Sequence, residues 1–206
     1  MGAWGASDPS SILGTPTQKG MEENIYKKLL EGEIVILPTD TLYGIHASAL
    51  NKKSVEKIYK IRGRAPEKPF IILIGSIEQL GLFKIKVDSK TKEILEKYWP
   101  GKVSIILPCP YKEFEYLHRG KNSLAFRLPR KKDLIDLLLK TGPLISTSVN
   151  PENKKPASTI FEAKKYFENK IKYYIDQGKL ESLPSTVIEI KKGKTTIIRQ
   201  GDAIIE

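Results

Sequence analysis

The sequence predicts an α/β fold, a single domain with one twisted sheet of mixed parallel and antiparallel strands flanked by helices. Three observations predict it. Short apolar, β-branched runs alternate with amphipathic helical segments as far as Asn169, the stretch from Lys172 to Arg199 is rich in strands, and no internal repeat divides the chain. With 206 residues there is material for one core and not for a second of comparable size.

Residues 1–20 are rich in Gly, Ser, Thr and Pro and have no apolar period. They are expected to be a disordered leader or tail, with the domain spanning 21–206. Glu22 to Glu31 reads as a first helix with Ile25, Leu29 and Leu30 on one face and Gly32 past its end. Glu33 to Leu37 is a buried strand that ends at Pro38, which lacks an amide donor. Thr39-Asp-Thr-Leu-Tyr-Gly44 then crowds hydroxyls and a carboxylate at the strand end, and Gly44 is expected to permit a sharp turn or a close ligand approach. The competing reading is a turn in which Thr39 and Asp40 bond their own backbone.

Ile45 to Leu50 forms a second strand, and Asn51 caps a helix through Ile61 carrying Val55, Ile58 and Tyr59. Lys60, Arg62, Arg64 and Lys68 crowd the loop that follows, where the two arginines flank Gly63 and can aim both forks at one anion. A solvated loop is the alternative. Phe70 to Ile74 is a strand, and Ser76 with Gln79 has capping-box spacing for a short helix. Asp88 to Trp99 is a helix with Ile94, Leu95 and Tyr98 inward, Val103 to Leu107 a strand, and Pro108 to Lys121 a loop.

Leu124 to Leu128 is a strand with a charge inside it, Arg127, which must pair with an acid or face a polar cavity. Lys132 to Lys140 is an amphipathic helix, and Leu144 to Asn150 repeats the earlier design, an apolar strand giving way to Ser146-Thr-Ser-Val-Asn150. After a polar loop from Pro151 to Pro156, Thr159 and Glu162 start another helix; strands follow at Lys172 to Ile175, Leu183 to Ile190 and Thr195 to Arg199.

Composition narrows the function classes. Lysine and arginine number 35 against 24 aspartates and glutamates, a net charge of +11, and that surplus favours a polyanionic partner such as a nucleotide or RNA. Cys109 is the sole cysteine, so no internal disulfide forms. His46 and His118 lie far apart without ligands at metal spacing, no dedicated metal site is expected, and no apolar run is long enough for a membrane span, so a cytoplasmic protein is the default expectation. Neither G-x-G-x-x-G nor G-x-x-x-x-G-K occurs.

Taken in order, Pro38-Thr-Asp-Thr-Leu-Tyr-Gly44, Arg62-Gly-Arg64 with Lys68-Pro69, Pro100-Gly101, Arg127 before Pro129, Ser146-Thr-Ser-Val-Asn150, Pro184-Ser-Thr-Val187 and Arg199-Gln-Gly201 resemble the YrdC-domain family in its single-domain form. That family comprises the L-threonylcarbamoyladenylate synthases. The resemblance spans Met21 to Glu206 and implies a YrdC-like fold, without the extra C-terminal domain of longer members. It implies a nucleotidyltransferase joining ATP, L-threonine and bicarbonate into threonylcarbamoyl-AMP and pyrophosphate, for threonylcarbamoyl modification of adenosine in tRNA. By the same resemblance Arg62 and Arg64 would act electrostatically, and Arg64, Lys68, Ser123, Ser148, Asn150, Ala157 and Arg199 would bind ATP. Thr41, Arg127, Ser146 and Ser185 would face L-threonine, with Arg127 taking its carboxylate. Mg2+ would arrive with ATP. Downstream tRNA-modification proteins are implied partners, and tRNA itself is a candidate one.

The chain departs from the family pattern in three places. Arg62 stands where lysine is usual, Glu152-Asn-Lys-Lys-Pro156 replaces a Ser-Gly-x-Pro loop, and Arg130 and Lys131 stand in the region of a frequent histidine. Two other readings compete with the synthase: a non-catalytic module binding double-stranded RNA or tRNA on the same basic concave surface, and an adenylylating or carbamoylating enzyme for a different amine.

Overall fold

The computed structural model describes residues 18–191 and 194–205; the expected leader, residues 1–20, lies largely outside them. Its last residues do not: the first helix, α1, is Gln18–Leu30 and starts ahead of the expected Glu22. Strands β1 (Val35–Pro38) and β2 (Tyr43–Ser48) pair antiparallel, with Pro38 opposite Tyr43. The Thr-Asp-Thr-Leu stretch is therefore the tip of a hairpin.

Helix α2 (Lys52–Arg62) is capped by the Asn51 side chain, which accepts from Ser54 N, and ends on Gly63 at φ 60°, where glycine turns left-handed without strain. After β3 (Ile71–Leu73) comes a 3-10 segment, Ile77–Phe83. The expected capping box does not form there. Ser76 makes no side-chain cap, and Gln79 instead accepts from Gly75 N at 2.8 Å and donates to Leu138 O at 3.0 Å, so tertiary packing outcompetes the local cap. Helix α3 is Ser89–Tyr98, capped by Asp88, and β4 is Val103–Pro108. The expected loop after it holds a 3-10 turn, Lys112–Phe114, and a short helix α4, Glu115–His118. Phe114 and Leu117 anchor these turns in the core, a tertiary reward that no helical period announced.

Strand β5 (Ser123–Arg127), helix α5 (Lys132–Thr141), strand β6 (Leu144–Ser148) and helix α6 (Ile160–Phe167) follow, then β7 (Tyr173–Tyr174), β8 (Thr186–Lys191) and β9 (Lys194–Arg199). Among the described residues these strands form one sheet in the order β7-β1-β2-β6-β3-β5-β4-β8-β9. Three of its pairings, β1 with β7, β3 with β5 and β4 with β8, are parallel; the rest are antiparallel.

The two faces of this sheet are covered unequally. One is closed by Val55, Ile58 and Tyr59 of α2, Leu95 of α3, Leu117 of α4 and Ile160, Ala163 and Phe167 of α6, packed on Ile36, Ile45, Ile72, Phe126 and Ile188. The other receives only α1 and α5, whose Ile25, Leu29, Leu134 and Leu138 cover Val35, Leu37, Leu73 and Leu144. The rest of that face stays open. Register settles what lines it, because residues paired across adjacent strands point the same way. One such row runs His46, Ser146, Ile71, Ala125, Ile106, Glu189 across β2, β6, β3, β5, β4 and β8. Ser146 and Glu189 on this row are only half-buried, whereas His46 at its β2 end is fully buried beside the part that α1 covers.

Candidate functional site

The open half of that face is the floor of a cavity of about 640 Å³. Its walls are the hairpin tip, Arg64 with Pro69 and Phe70, Lys121, and the segments Pro184-Ser185 and Ile198-Arg199. Eight of the residues singled out from the sequence line it together: Thr41, Arg64, Ser123, Arg127, Ser146, Ser148, Ser185 and Arg199. Four others, Arg62, Lys68, Asn150 and Ala157, do not line it.

The hairpin tip divides its labour. Thr39 stitches the turn: its hydroxyl donates to Leu42 O at 2.8 Å and accepts from the amides of Thr41 and Leu42. Asp40 turns the other way, accepting from Arg127 Nη2 at 2.5 Å and from Arg130 N at 3.0 Å. Arg127 Nη1 donates to Thr41 Oγ1 at 3.1 Å, and Nε is buried without a partner. The charge inside β5 is thus balanced by an aspartate that the next-door hairpin delivers. Burial lowers the Arg127 pKa, Asp40 works against that, and Arg199 adds to it. Two of this arginine's five N–H groups are spent on Asp40 and Thr41, and Nε–H together with the second N–H of each terminal nitrogen remains for a ligand.

Gly44 makes no sharp turn, although it does line the cavity. It sits inside β2 opposite Leu37 and Ser148, and a Cβ there would run into the His46 ring. The glycine makes room for an imidazole, and it turns no corner. His46 is fully buried with both ring nitrogens unpartnered, and burial together with the charge of Arg127 drives its pKa down to about 3.

Arg62 and Arg64, two residues apart, have opposite surroundings. Arg62 is 4% exposed; Nε donates to Asn150 O at 2.7 Å and Nη1 to Thr147 Oγ1 at 2.5 Å. Burial first, and the charge of Arg64 next, bring its pKa down to about 10, which leaves it cationic at neutral pH. It ties α2 to the end of β6 and spends these donors on a carbonyl and a hydroxyl of the protein where a phosphate was expected. Arg64 lines the cavity, braced by Nε on Lys68 O at 3.0 Å and Nη2 on Pro69 O at 3.2 Å, with its guanidinium 5.2 Å from the Phe70 ring centroid. Across the cleft Arg199 Nη2 donates to Ser185 O at 2.6 Å. Burial lowers the Arg199 pKa and Arg64 lowers it further, so two like charges are held where an anion between them would relieve both.

Lys68 and Asn150 belong to loops beside the cavity. Lys68 is paired with Glu152 at 2.5 Å, and Asn150 Nδ2 donates to Pro151 O and Lys154 O. Ala157 is 1% exposed, its amide on Val149 O at 2.9 Å. Ser185 shares a buried contact of 2.9 Å with Ser104 Oγ. Sequence reasoning missed Lys121 and Glu189, both at the cavity wall. The signal was strand alternation: Lys121 shares the two-residue spacing of Ser123, Ala125 and Arg127, as Glu189 shares that of Ser185 and Val187.

Eight polar side chains from separate strands and loops meeting over one bare sheet face make a site for a polar, anionic ligand. The Sua5/YciO/YrdC model, described as telomere recombination, matches residues 27–201. The chain belongs to the Sua5/YciO/YrdC family. It is 35% identical to a putative threonylcarbamoyl-AMP synthase of Methanocaldococcus jannaschii, over 92% of this chain and 89% of that one. It is also 29% identical to the threonylcarbamoyl-AMP synthase of Pyrococcus abyssi, over 85% of this chain and 52% of the relative, so it spans about half of that longer family member. The crystal structure of Pyrococcus abyssi Sua5 complexed with L-threonine superposes with a TM-score of 0.80 at 26% identity, covering 89% of this chain and 54% of the other. Among the described residues of this family member, no helix is long and apolar enough to cross a membrane.

Proposed function

We propose that this protein is an L-threonylcarbamoyladenylate synthase, a nucleotidyltransferase that converts ATP, L-threonine and bicarbonate into threonylcarbamoyl-AMP, pyrophosphate and water. The observation that carries the reading is the meeting of Thr41, Arg64, Ser148 and Arg199 around one cavity, in a chain whose relatives bear that name. A volume of about 640 Å³ lies in the range of small-molecule sites and leaves room for a nucleotide beside an amino acid.

The threonine amine captures CO2 as a carbamate, and a carbamate oxygen then forms a bond to the α-phosphorus as the bond to pyrophosphate breaks. Such transfers depend on positioning and on fixed opposite charge. Arg64 and Arg199 supply that charge from two walls, with Lys68 near the first. Ser123 and Ser148 on the floor serve the nucleotide, and Thr41, Ser146 and Ser185 offer hydroxyls to threonine. Arg127, which lines the cavity, holds Thr41 and the Asp40 turn in place and has N–H groups left, Nε–H among them, to take the threonine carboxylate. Arg62, Asn150 and Ala157 shape the loops around the nucleotide.

Magnesium is proposed to enter on the triphosphate and to neutralise it there. Among the described residues no group of three or more His, Cys, Asp or Glu side chains gathers to hold a metal by itself. The adenylate would pass to downstream tRNA-modification proteins, and tRNA is a partner the basic surface suits. The test is pyrophosphate release that needs ATP, L-threonine and bicarbonate together. Release that favours another amino acid, or none with all three present, overturns the reading.

A further inference from the structure

Beside the cleft, one carboxylate already sits where an anion belongs. Glu152 Oε1 accepts from Lys68 Nζ at 2.5 Å, and Glu152 Oε2 accepts from the backbone amide of Ala65 at 2.8 Å. Each oxygen has its own donor, one an ammonium and one a fixed peptide N–H, which is how proteins commonly hold phosphate oxygens. Ala65 and Lys68 lie between Arg64 and Pro69, both of which line the cavity.

The carboxylate is delivered by a braced loop. Glu152 N donates to Arg62 O at 3.1 Å, Arg62 Nε returns to Asn150 O, and the Asn150 amide spans to Lys154 O at 2.8 Å. On the cradle side the Lys68 carbonyl accepts from Tyr59 OH and Arg64 Nε, so its backbone is pinned while the ammonium, about half exposed, can swing. An exposed ion pair of this kind is weak enough to exchange.

We infer that Glu152 is a resident stand-in for the terminal phosphates of the nucleotide, and that ATP enters by displacing its carboxylate from Lys68 and the Ala65 amide. This rests on the proposed synthase reading and deepens it. A polyphosphate brings more charge and more acceptor oxygens than one carboxylate, so the exchange runs towards bound ATP, and the glutamate regains its donors when pyrophosphate leaves. Glu152 thereby sets how tightly the site holds nucleotide and product.

The experiment measures binding of MgATP, inorganic pyrophosphate and AMP by calorimetry to the whole protein and to Glu152→Gln, Glu67→Gln and Lys68→Gln variants. Glu67 is an exposed carboxylate of the same loop and controls for charge alone. Glu152→Gln is expected to tighten ATP and pyrophosphate about two- to fivefold, the span an exposed ion pair can withhold, while leaving AMP unchanged. Glu67→Gln should change none of the three, and Lys68→Gln should weaken ATP. Equal or weaker ATP binding by Glu152→Gln in a wild-type background that binds and turns over overturns this inference alone; tightening of AMP, or the same gain in Glu67→Gln, overturns it in favour of a general charge effect. A wild type that neither binds ATP nor releases pyrophosphate removes the synthase reading and this inference with it.

Discussion

At the scale of single residues, the same side chain at two nearby positions performs different work, and burial decides which. Arg62 spends its donors on Asn150 O and Thr147 Oγ1 inside the protein, whereas Arg64 leans on exposed loop carbonyls at the cavity wall. Replacing Arg62 by Ala strips the buried Asn150 carbonyl and the half-buried Thr147 hydroxyl of their donor and should cost about 1 to 3 kcal/mol, read by urea denaturation. Arg64→Ala should lower turnover by roughly 10² to 10³ with little change in melting temperature, read by pyrophosphate release alongside a thermal melt. A reversal of the two phenotypes would reverse the assignment. His46 adds a pH signature. Its folded pKa of about 3 lies below the ordinary 6.5, so the unfolded chain binds the extra proton and stability falls as pH drops below 6.5. The loss accrues at about 1.4 kcal/mol per pH unit, hence about 2 kcal/mol by pH 5. A His46→Leu variant should lack that increment when the two proteins are unfolded with urea at pH 7 and pH 5.

At the scale of elements, hairpins and strand ends carry the chemistry because they place side chains that helices bury. The β1–β2 tip supplies Asp40 to Arg127 across to β5, a pairing between residues far apart in the chain. The β9 end is held as closely. Arg199 reaches Ser185 O, Asp202 N donates to Pro184 O at 2.9 Å, and Gly201 lies so near the Pro184 and Ser185 backbone that a Cβ would overlap it. No flexible side chain stands there to give way. Gly201→Ala is therefore expected to cost roughly 1 to 3 kcal/mol and to raise the requirement for ATP, by moving Arg199 away from Arg64. Denaturation and the KM for ATP, measured together, check it; an unchanged KM would detach the β9 end from the site.

At the scale of the molecule, the excess of 35 basic over 24 acidic residues surrounds a cleft that gathers arginines, so the field should guide an anion and ignore a zwitterion. Raising salt from about 50 to 200 mM, which shortens the screening length, should raise the KM for ATP severalfold and leave that for L-threonine nearly unmoved. The alternation of strands and helices, the Asn51 cap and the polar strand tips were legible in the amino-acid order, because periodicity and capping act over a few neighbouring residues. The hydroxyl clusters after apolar runs, the paired arginines around Gly63 and the arginine inside a strand also stood out against local pattern, whereas Ser123, Ser185 and Arg199 were reached through the family resemblance. What stayed hidden depended on distant partners: the buried role of Arg62, the Asp40 neutralisation of Arg127, the His46 ring behind Gly44, the helical turns after β4, and Lys121 and Glu189 on the wall. The sequence by itself determined which residues could bear charge and hydroxyls at strand ends. Only the tertiary structure decided which of them share a cavity, because that follows from strand order, register and the half of one sheet face that α1 and α5 leave uncovered.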